Sequence, residues 1–337
     1  MGFSWNAQLS WLLSNNLMKT IRLHAPGDLR QHDEPMPKPG YGEMLVHVMA
    51  VGICGSDLHW FNEAGIGDAK LTQPLILGHE FTGVIAEGPR QGERVAVDPA
   101  IPCKSCELCL QGDPNLCEHI RFAGHDMEDG ALREYIAWPE ECLFHLPDPL
   151  SYADGAMLEP LGVAIHAVDL AHLRTGISVG VFGCGPIGLL VIQMARLGGV
   201  TEVFVTEPLQ HRLESALSLG AQEWTPGQKV DVSFEVAGEN DAVETAFGAV
   251  KPGGQVILAG IPADDRTSFS ASVARRKGLT IKLVRRMKFT YPRAIQLVES
   301  GHVDVRSLVT HHFPLEKAQE AFSVAKRREG LKIIIDI

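Results

Sequence analysis

Four cysteines lie within fifteen residues, Cys103, Cys106, Cys109 and Cys117, at a C-x2-C-x2-C-x7-C spacing. Four thiolates so spaced can surround one zinc ion tetrahedrally, each at about 2.3 Å. The short gaps bend the chain around an ion, and Gly112 and Pro114 shape its return. Four protein ligands leave no open coordination position, so this site reads as structural. An iron–sulfur cluster, the competing reading, uses the same four thiolates, but nothing else in the chain points to electron transfer. In a large enzyme-like chain, cysteines this dense read as a metal site rather than a disulfide framework.

A second chemistry-bearing segment is Gly183-Cys184-Gly185-Pro186-Ile187-Gly188, a G-x-G-x-x-G pattern. Its context makes it informative: an apolar strand ending at Phe182 precedes it, and an apolar helix with Leu189, Leu190, Ile192 and Met194 follows. Gly183 permits a tight turn, Gly185 lets the backbone approach a pyrophosphate, and Gly188 allows close helix–strand packing. The helix that opens at Pro186 and Ile187 offers amides and a positive dipole end to the phosphates. Nineteen residues after Gly188, Glu207 closes the next strand. A carboxylate there accepts from both ribose hydroxyls and repels a 2′-phosphate, which favours NAD over NADP, while nearby Arg212 works against that preference.

Single metal-type residues are scattered more widely, in Gly52-Ile53-Cys54-Gly55-Ser56-Asp57-Leu58-His59, Gly78-His79-Glu80 and Leu158-Glu159-Pro160-Leu161. Taken singly, a lone cysteine is more often core packing and a lone His-Glu more often a surface pair. In this order, and together with Gly65-Ile66-Gly67-Asp68, the cysteine lobe, the glycine loop and the stretch from Leu308 to Glu316, they resemble the zinc-dependent medium-chain dehydrogenases. Within that family the chain looks most like the polyol dehydrogenases, and the resemblance runs from Met18 onward. It implies that Cys54 and His79 are ligands of a catalytic zinc. Glu80 would be the acidic residue beside the histidine, and Glu159 would stand where the family's alcohol dehydrogenases place a cysteine. Which of the two carboxylates touches the metal stays open. Such a site is harder and richer in oxygen, with a position open for substrate. The resemblance also implies that Ser56, continued by His59, relays a proton from the alcohol, and that Trp60, Phe61 and Arg286 neighbour the substrate.

The implied reaction moves a hydride from a secondary alcohol of a polyol to NAD, giving a ketose. L-Threonine, a sugar acid or a simple secondary alcohol are alternative substrates of the same family. A non-catalytic NAD-binding redox sensor is the alternative from another class, but its metal set would be expected to be degraded, whereas Cys54, Ser56, His79, Glu80 and Glu159 are all intact.

Two kinds of element must position these groups. Up to about residue 154, short β-like runs such as Met44–Val48 and Glu93–Val97 alternate with Gly- and Pro-rich turns. From residue 155, strands expected at Ser178–Phe182, Glu202–Thr206, Val230–Val236 and Gln255–Ala259 alternate with helices, the pattern of parallel βαβ units. The expected fold is α/β. A partly open, GroES-like β-barrel catalytic domain spans 18–154 and is completed by about 301–337, with a doubly wound Rossmann cofactor domain over 155–300. Residues 1–17 read as an N-terminal extension. The segment Ala221–Val230 is short where polyol dehydrogenases carry a longer helical connection.

The 337 residues, 45% hydrophobic and 21% charged, suffice for two cores. A net charge of −11 without long Lys/Arg runs argues against nucleic acid or an anionic membrane as partner. No apolar run reaches the length of a membrane helix, and the N-terminus lacks the basic start and apolar centre of a signal peptide. The expected setting is the cytoplasm, the expected assembly a homotetramer or homodimer.

Overall fold

A computed structural model describes residues Leu17–Ile337. The expected extension therefore lies outside the described residues, apart from Leu17, which opens the strand Leu17–Ala25. Packing divides the chain into two compact units. One comprises residues up to Pro102, Ile120–Met157 and Val309–Ile337, and the other Cys103–His119 and Leu158–Leu308.

The first unit is built on the strand Glu43–Gly52, whose apolar positions Val46, Val48 and Val51 are fully buried. It pairs antiparallel with Glu80–Ile85, Tyr135–Pro139 and Lys332–Asp336. Beyond Glu80–Ile85 lie Arg94–Val97 and then Leu143–His145, and beyond Lys332–Asp336 lies the parallel strand Val309–Pro314. A smaller sheet joins Leu17–Ala25 to Asp28–Pro35 and Leu75–Ile76. The enclosed core includes Trp60, Phe81, Trp138, Phe322 and Ile333. Burying each such side chain stabilises the fold by roughly 1.5–3 kcal/mol. This is the expected GroES-like barrel, completed by C-terminal strands.

The second unit carries six parallel strands in the spatial order Gln222–Glu223, Glu202–Thr206, Ser178–Phe182, Val230–Glu235, Val250–Leu258, Thr280–Leu283. In sequence terms that order is 3-2-1-4-5-6, the doubly wound arrangement that binds dinucleotides where strand order reverses. The reversal falls between Ser178–Phe182 and Val230–Glu235, and the glycine loop leaves the carboxyl end of the first of these. The helix Pro186–Leu197 follows, with Pro at its start, where the missing N–H is no loss. The third strand has only two residues, consistent with the short Ala221–Val230 segment.

The four-cysteine lobe packs with the second unit rather than with a continuous 18–154 block. Asn115 Nδ2 donates to the Arg285 carbonyl at 3.0 Å, and Asp113 pairs with Lys288 at 2.5 Å. Among the elements with no periodic signal strong enough to announce them are the helices Gly55–Glu63, Ala271–Lys277 and Tyr291–Glu299 and the strand Thr280–Leu283.

Candidate active site

Cys54 lies just past the end of Glu43–Gly52 and forms the N-cap of the helix Gly55–Glu63. Its amide donates to Asp57 Oδ2 at 2.9 Å, so an acidic side chain in the first turn fixes how the helix departs. The other oxygen of Asp57 accepts from the Gly78 amide at 3.2 Å and lies 3.3 Å from His79 Nδ1. Asp57 thereby ties the helix start to the Gly78–His79 segment and holds the histidine by one nitrogen. The other, Nε2, lies 3.4 Å from Ser56 Oγ. Orienting a metal-binding imidazole through its second nitrogen is the usual work of such a carboxylate. Burial opposes the charge on Asp57. His79 and the two backbone amides outweigh it, leaving the carboxyl below its ordinary range. Gly78 has φ +95°, and a Cβ there would lie 2.7 Å from Val51, so both conformation and space demand glycine.

Glu80 opens the strand Glu80–Ile85 and pairs across from Gly52. A Cβ on residue 52 would come within 2.2 Å of Glu80 Oε2, so the glycine leaves the space that the carboxylate fills. Lys332 Nζ meets both carboxylate oxygens, at 2.7 and 2.6 Å, and the Ile53 carbonyl at 3.1 Å. Both charged side chains are buried. Ligand atoms of Cys54, His79 and Glu80 lie within 4.8 Å of one another. One sulfur, one imidazole nitrogen and one carboxylate oxygen suit zinc, and three protein donors leave a coordination position open. Glu159, the remaining candidate ligand, is buried in the first turn of Leu158–Ala171 in the second unit.

His59 follows Ser56 by three residues on the same helix, and its Nδ1 lies 3.8 Å from the more exposed Glu63. The series Ser56, His59, Glu63 thus runs from the buried His79 toward solvent. Trp60 and Phe61 belong to the barrel core. Phe61 packs on Phe322 at 5.1 Å between centroids, and Trp60 Nε1 donates to His125 Nδ1 at 3.3 Å. Arg286 occupies a turn of the second unit with φ +54°. Sequence reasoning missed Asp57, Lys332, Phe122 and His125. Phe122 stands 5.2 Å from His79, ring to ring. A lysine at the mouth of the apolar run Ile333-Ile334-Ile335 was the one available signal for Lys332.

The sulfur atoms of Cys103, Cys106, Cys109 and Cys117 also lie within 4.8 Å of one another. The Cys103 amide points at Cys117 Sγ and the Cys106 amide at Cys103 Sγ, both at 3.3 Å. Bonds from Ser105 and Cys106 lower the Cys103 thiol to about 5, whereas burial and the neighbouring thiols raise Cys109 to about 12. Four crowded thiols cannot all ionise unaided. A divalent cation resolves that repulsion, and the donor set fits a tetrathiolate zinc.

In the second unit, Gly183 has φ +106° and abuts Ala237, and a Cβ on Gly188 would strike the Gly183 carbonyl at 2.1 Å. Gly185 is open except toward Arg212 Nη1, 3.5 Å from where its Cβ would be. Glu207 accepts the amides of Cys184 at 2.7 Å and Leu209 at 3.0 Å, which fixes its carboxylate beside the loop. Pro186 and Ile187 form the first turn of the following helix.

Residues 40–148 match the alcohol dehydrogenase GroES-like domain, and residues 186–300 match the zinc-binding dehydrogenase domain. Sorbitol dehydrogenase of Gallus gallus is 36% identical over 338 residues, covering 94% of this chain and 95% of that protein. Sorbitol dehydrogenase of Bacillus subtilis is 34% identical over 341 residues, covering 94% and 97%. A zinc-binding dehydrogenase of Sinorhizobium meliloti, solved bound to NADP, superposes with a TM-score of 0.87 at 29% identity, covering 95% of this chain and 99% of that one.

Proposed function

Because this chain belongs to the zinc-binding alcohol and polyol dehydrogenase family, we propose that it oxidises a secondary alcohol of a polyol to a ketone with NAD. The observation that carries the polyol reading is the donor set itself. Its third member is the carboxylate of Glu80, held in place by Gly52 and Lys332. The likeness to sorbitol dehydrogenases along nearly the whole chain supports the same reading.

Zinc held by Cys54, His79 and Glu80 supplies Lewis acidity toward the alcohol oxygen. Asp57 keeps His79 turned so that Nε2 faces Ser56. Ser56 Oγ takes the hydroxyl proton, and His59, on the next helical turn, passes it toward Glu63 and solvent. NAD supplies the hydride acceptor. Gly183, Gly185 and Gly188 let the backbone approach its pyrophosphate, the helix start at Pro186 and Ile187 faces the charge, and Glu207 has lone pairs left for ribose hydroxyls. Arg212 is the group that would welcome a 2′-phosphate, and NADP is present in one structural relative. The four-cysteine lobe takes the second, structural zinc. Seven free cysteines fit a reducing compartment such as the cytoplasm. Among the described residues, no helix is long and apolar enough to cross a membrane.

The test is NAD and NADP reduction, followed by absorbance, on sorbitol, xylitol, galactitol, L-threonine, sugar acids and simple alcohols, with and without chelator. Chelator-sensitive turnover of polyols with NAD is the expected result. Turnover confined to threonine or sugar acids would overturn the polyol assignment, and preference for NADP would overturn the role given to Glu207. In the same assay Ser56→Ala should lose about 100-fold in kcat, the lower end of what a positioned proton acceptor contributes. An unchanged pH–rate profile would remove Ser56 from the relay.

A further inference from the structure

The glycine loop leaves the carboxyl end of the parallel sheet, and the amino end of the same sheet holds a cavity of about 460 Å³. One wall is the turn from Ala171 to Ile177, which leads into the strand Ser178–Phe182. His172 closes the preceding helix with φ +47°, the left-handed conformation that usually falls to glycine. The other wall is Lys251 to Gly254. Pairing jumps from Val230 opposite Val250 to Val232 opposite Gln255, so these four residues loop out of the ladder beside Asp231. A Cβ on Gly254 would come within 2.6 Å of the Asp231 carbonyl, so glycine lets the loop lie against that strand.

The ionisable side chains lining the cavity are His172, Arg174, Asp231 and Lys251. Asp231 is already engaged. One oxygen accepts from Lys251 Nζ at 2.8 Å, and the other from the amide and hydroxyl of Ser178 at 2.9 and 2.8 Å. Lys251 has two further N–H groups to donate. Among the described residues, neither Arg174 nor His172 has a side-chain hydrogen-bond or ion-pair partner. One carboxylate against the Arg174 and Lys251 cations leaves the cavity positive, in a chain whose net charge is −11. An arginine fork grips phosphate through two parallel bonds. Three donor side chains match the terminal oxygens of a phosphate group, whereas a carboxylate would leave one donor idle. Ala171, Ile177, Val232 and Pro252 supply apolar wall for a carbon skeleton, and the volume is that of a small-molecule site. We propose that this cavity is a second anion site, which takes the phosphate group of a small phosphomonoester on Arg174, Lys251 and His172. Five strand residues, about 17 Å, separate it from the glycine loop, so both sites can be filled at once.

The experiment is calorimetric titration of the zinc-loaded protein with glucose 6-phosphate, inorganic phosphate and glucose, each with and without saturating NAD. Glucose 6-phosphate should bind once per chain whether or not NAD is present, inorganic phosphate more weakly, and glucose not at all. Arg174→Gln should weaken glucose 6-phosphate about ten- to hundredfold, the scale of a lost hydrogen bond to a charged group. Its thermal unfolding midpoint should stay that of the wild type, which separates lost recognition from lost structure. Arg174→Lys, which restores the charge without the fork, should recover part of the affinity. An unchanged affinity in Arg174→Gln overturns the proposal. So does wild-type binding that NAD abolishes, which would place the ester in the glycine loop, or glucose binding as tightly as its phosphate. Inorganic phosphate binding as tightly as glucose 6-phosphate would assign the site to the free ion and overturn the ester.

Discussion

The Lys332–Glu80 pair is the least expected feature of the metal site. Two charges taken out of water repay their desolvation only with good geometry, and here one ammonium meets both carboxylate oxygens and a backbone carbonyl. Removing one partner leaves the other buried and uncompensated. Lys332→Met should therefore cost about 3–5 kcal/mol of stability, read from urea unfolding in the presence of chelator, so that metal cannot mask the loss. A cost below about 1 kcal/mol would mean that the pair contributes nothing the surroundings cannot replace. The two partners stand 252 residues apart in sequence, which is why the pair was not legible there. The cysteine quartet was legible because its ligands are local. Cys54, His79 and Glu80 were legible as a set only through family resemblance. Asp57 lay within a quoted motif, yet its bonds to the Cys54 and Gly78 amides and its contact with His79 required the fold.

At the scale of elements, the strands Leu17–Ala25 and Asp28–Pro35 are locked to the loop before the barrel wall by one guanidinium. Arg22 bonds Glu34 at 2.5 and 2.9 Å, Asp129 at 2.9 and 2.8 Å, and the Pro74 carbonyl at 3.0 Å. The hydrogen bonds from Arg22 hold Glu34 below the usual carboxylate range, against the opposing effect of burial. A carboxyl whose pKa is lower folded than unfolded stabilises the native state fully above its unfolded value, about 4.3. That contribution is lost as the pH falls through the folded value. Glu34→Gln should thus lower stability near neutral pH while flattening the loss below about pH 4.3, as measured by denaturant midpoints from pH 7 to 3. Parallel acid limbs for variant and wild type would show that Glu34 plays no part in acid unfolding. Hydrophobic period made the second unit readable to the residue at Ser178–Phe182, Pro186–Leu197 and Glu202–Thr206, but it missed everything from Ala271–Lys277 to Tyr291–Glu299. The helix Gly55–Glu63 escaped because its sequence, Gly-Ser-Asp-Leu-His-Trp-Phe-Asn-Glu, has no apolar stripe. Its capping by Asp57 and the burial of Trp60 and Phe61 hold it in place.

At the scale of the whole molecule, the parallel sheet of the second unit ends in an edge strand. Among the described residues Thr280–Leu283 pairs on one side only, with Val250–Leu258, and its last residue, Leu283, is 74% exposed. An open strand edge that ends in a large apolar side chain is a template for pairing with another chain. Two copies meeting there about a two-fold axis would continue the sheet and cover Leu283 in a self-complementary contact. We therefore expect a homo-oligomer with this edge at its interface. Sedimentation velocity of the wild type should show particles of at least twice the monomer mass, and Leu283→Asp should shift the distribution toward monomer. Wild-type protein that sediments only as monomer would end the assembly argument, whereas an oligomer indifferent to Leu283→Asp would move the interface to another face of the molecule.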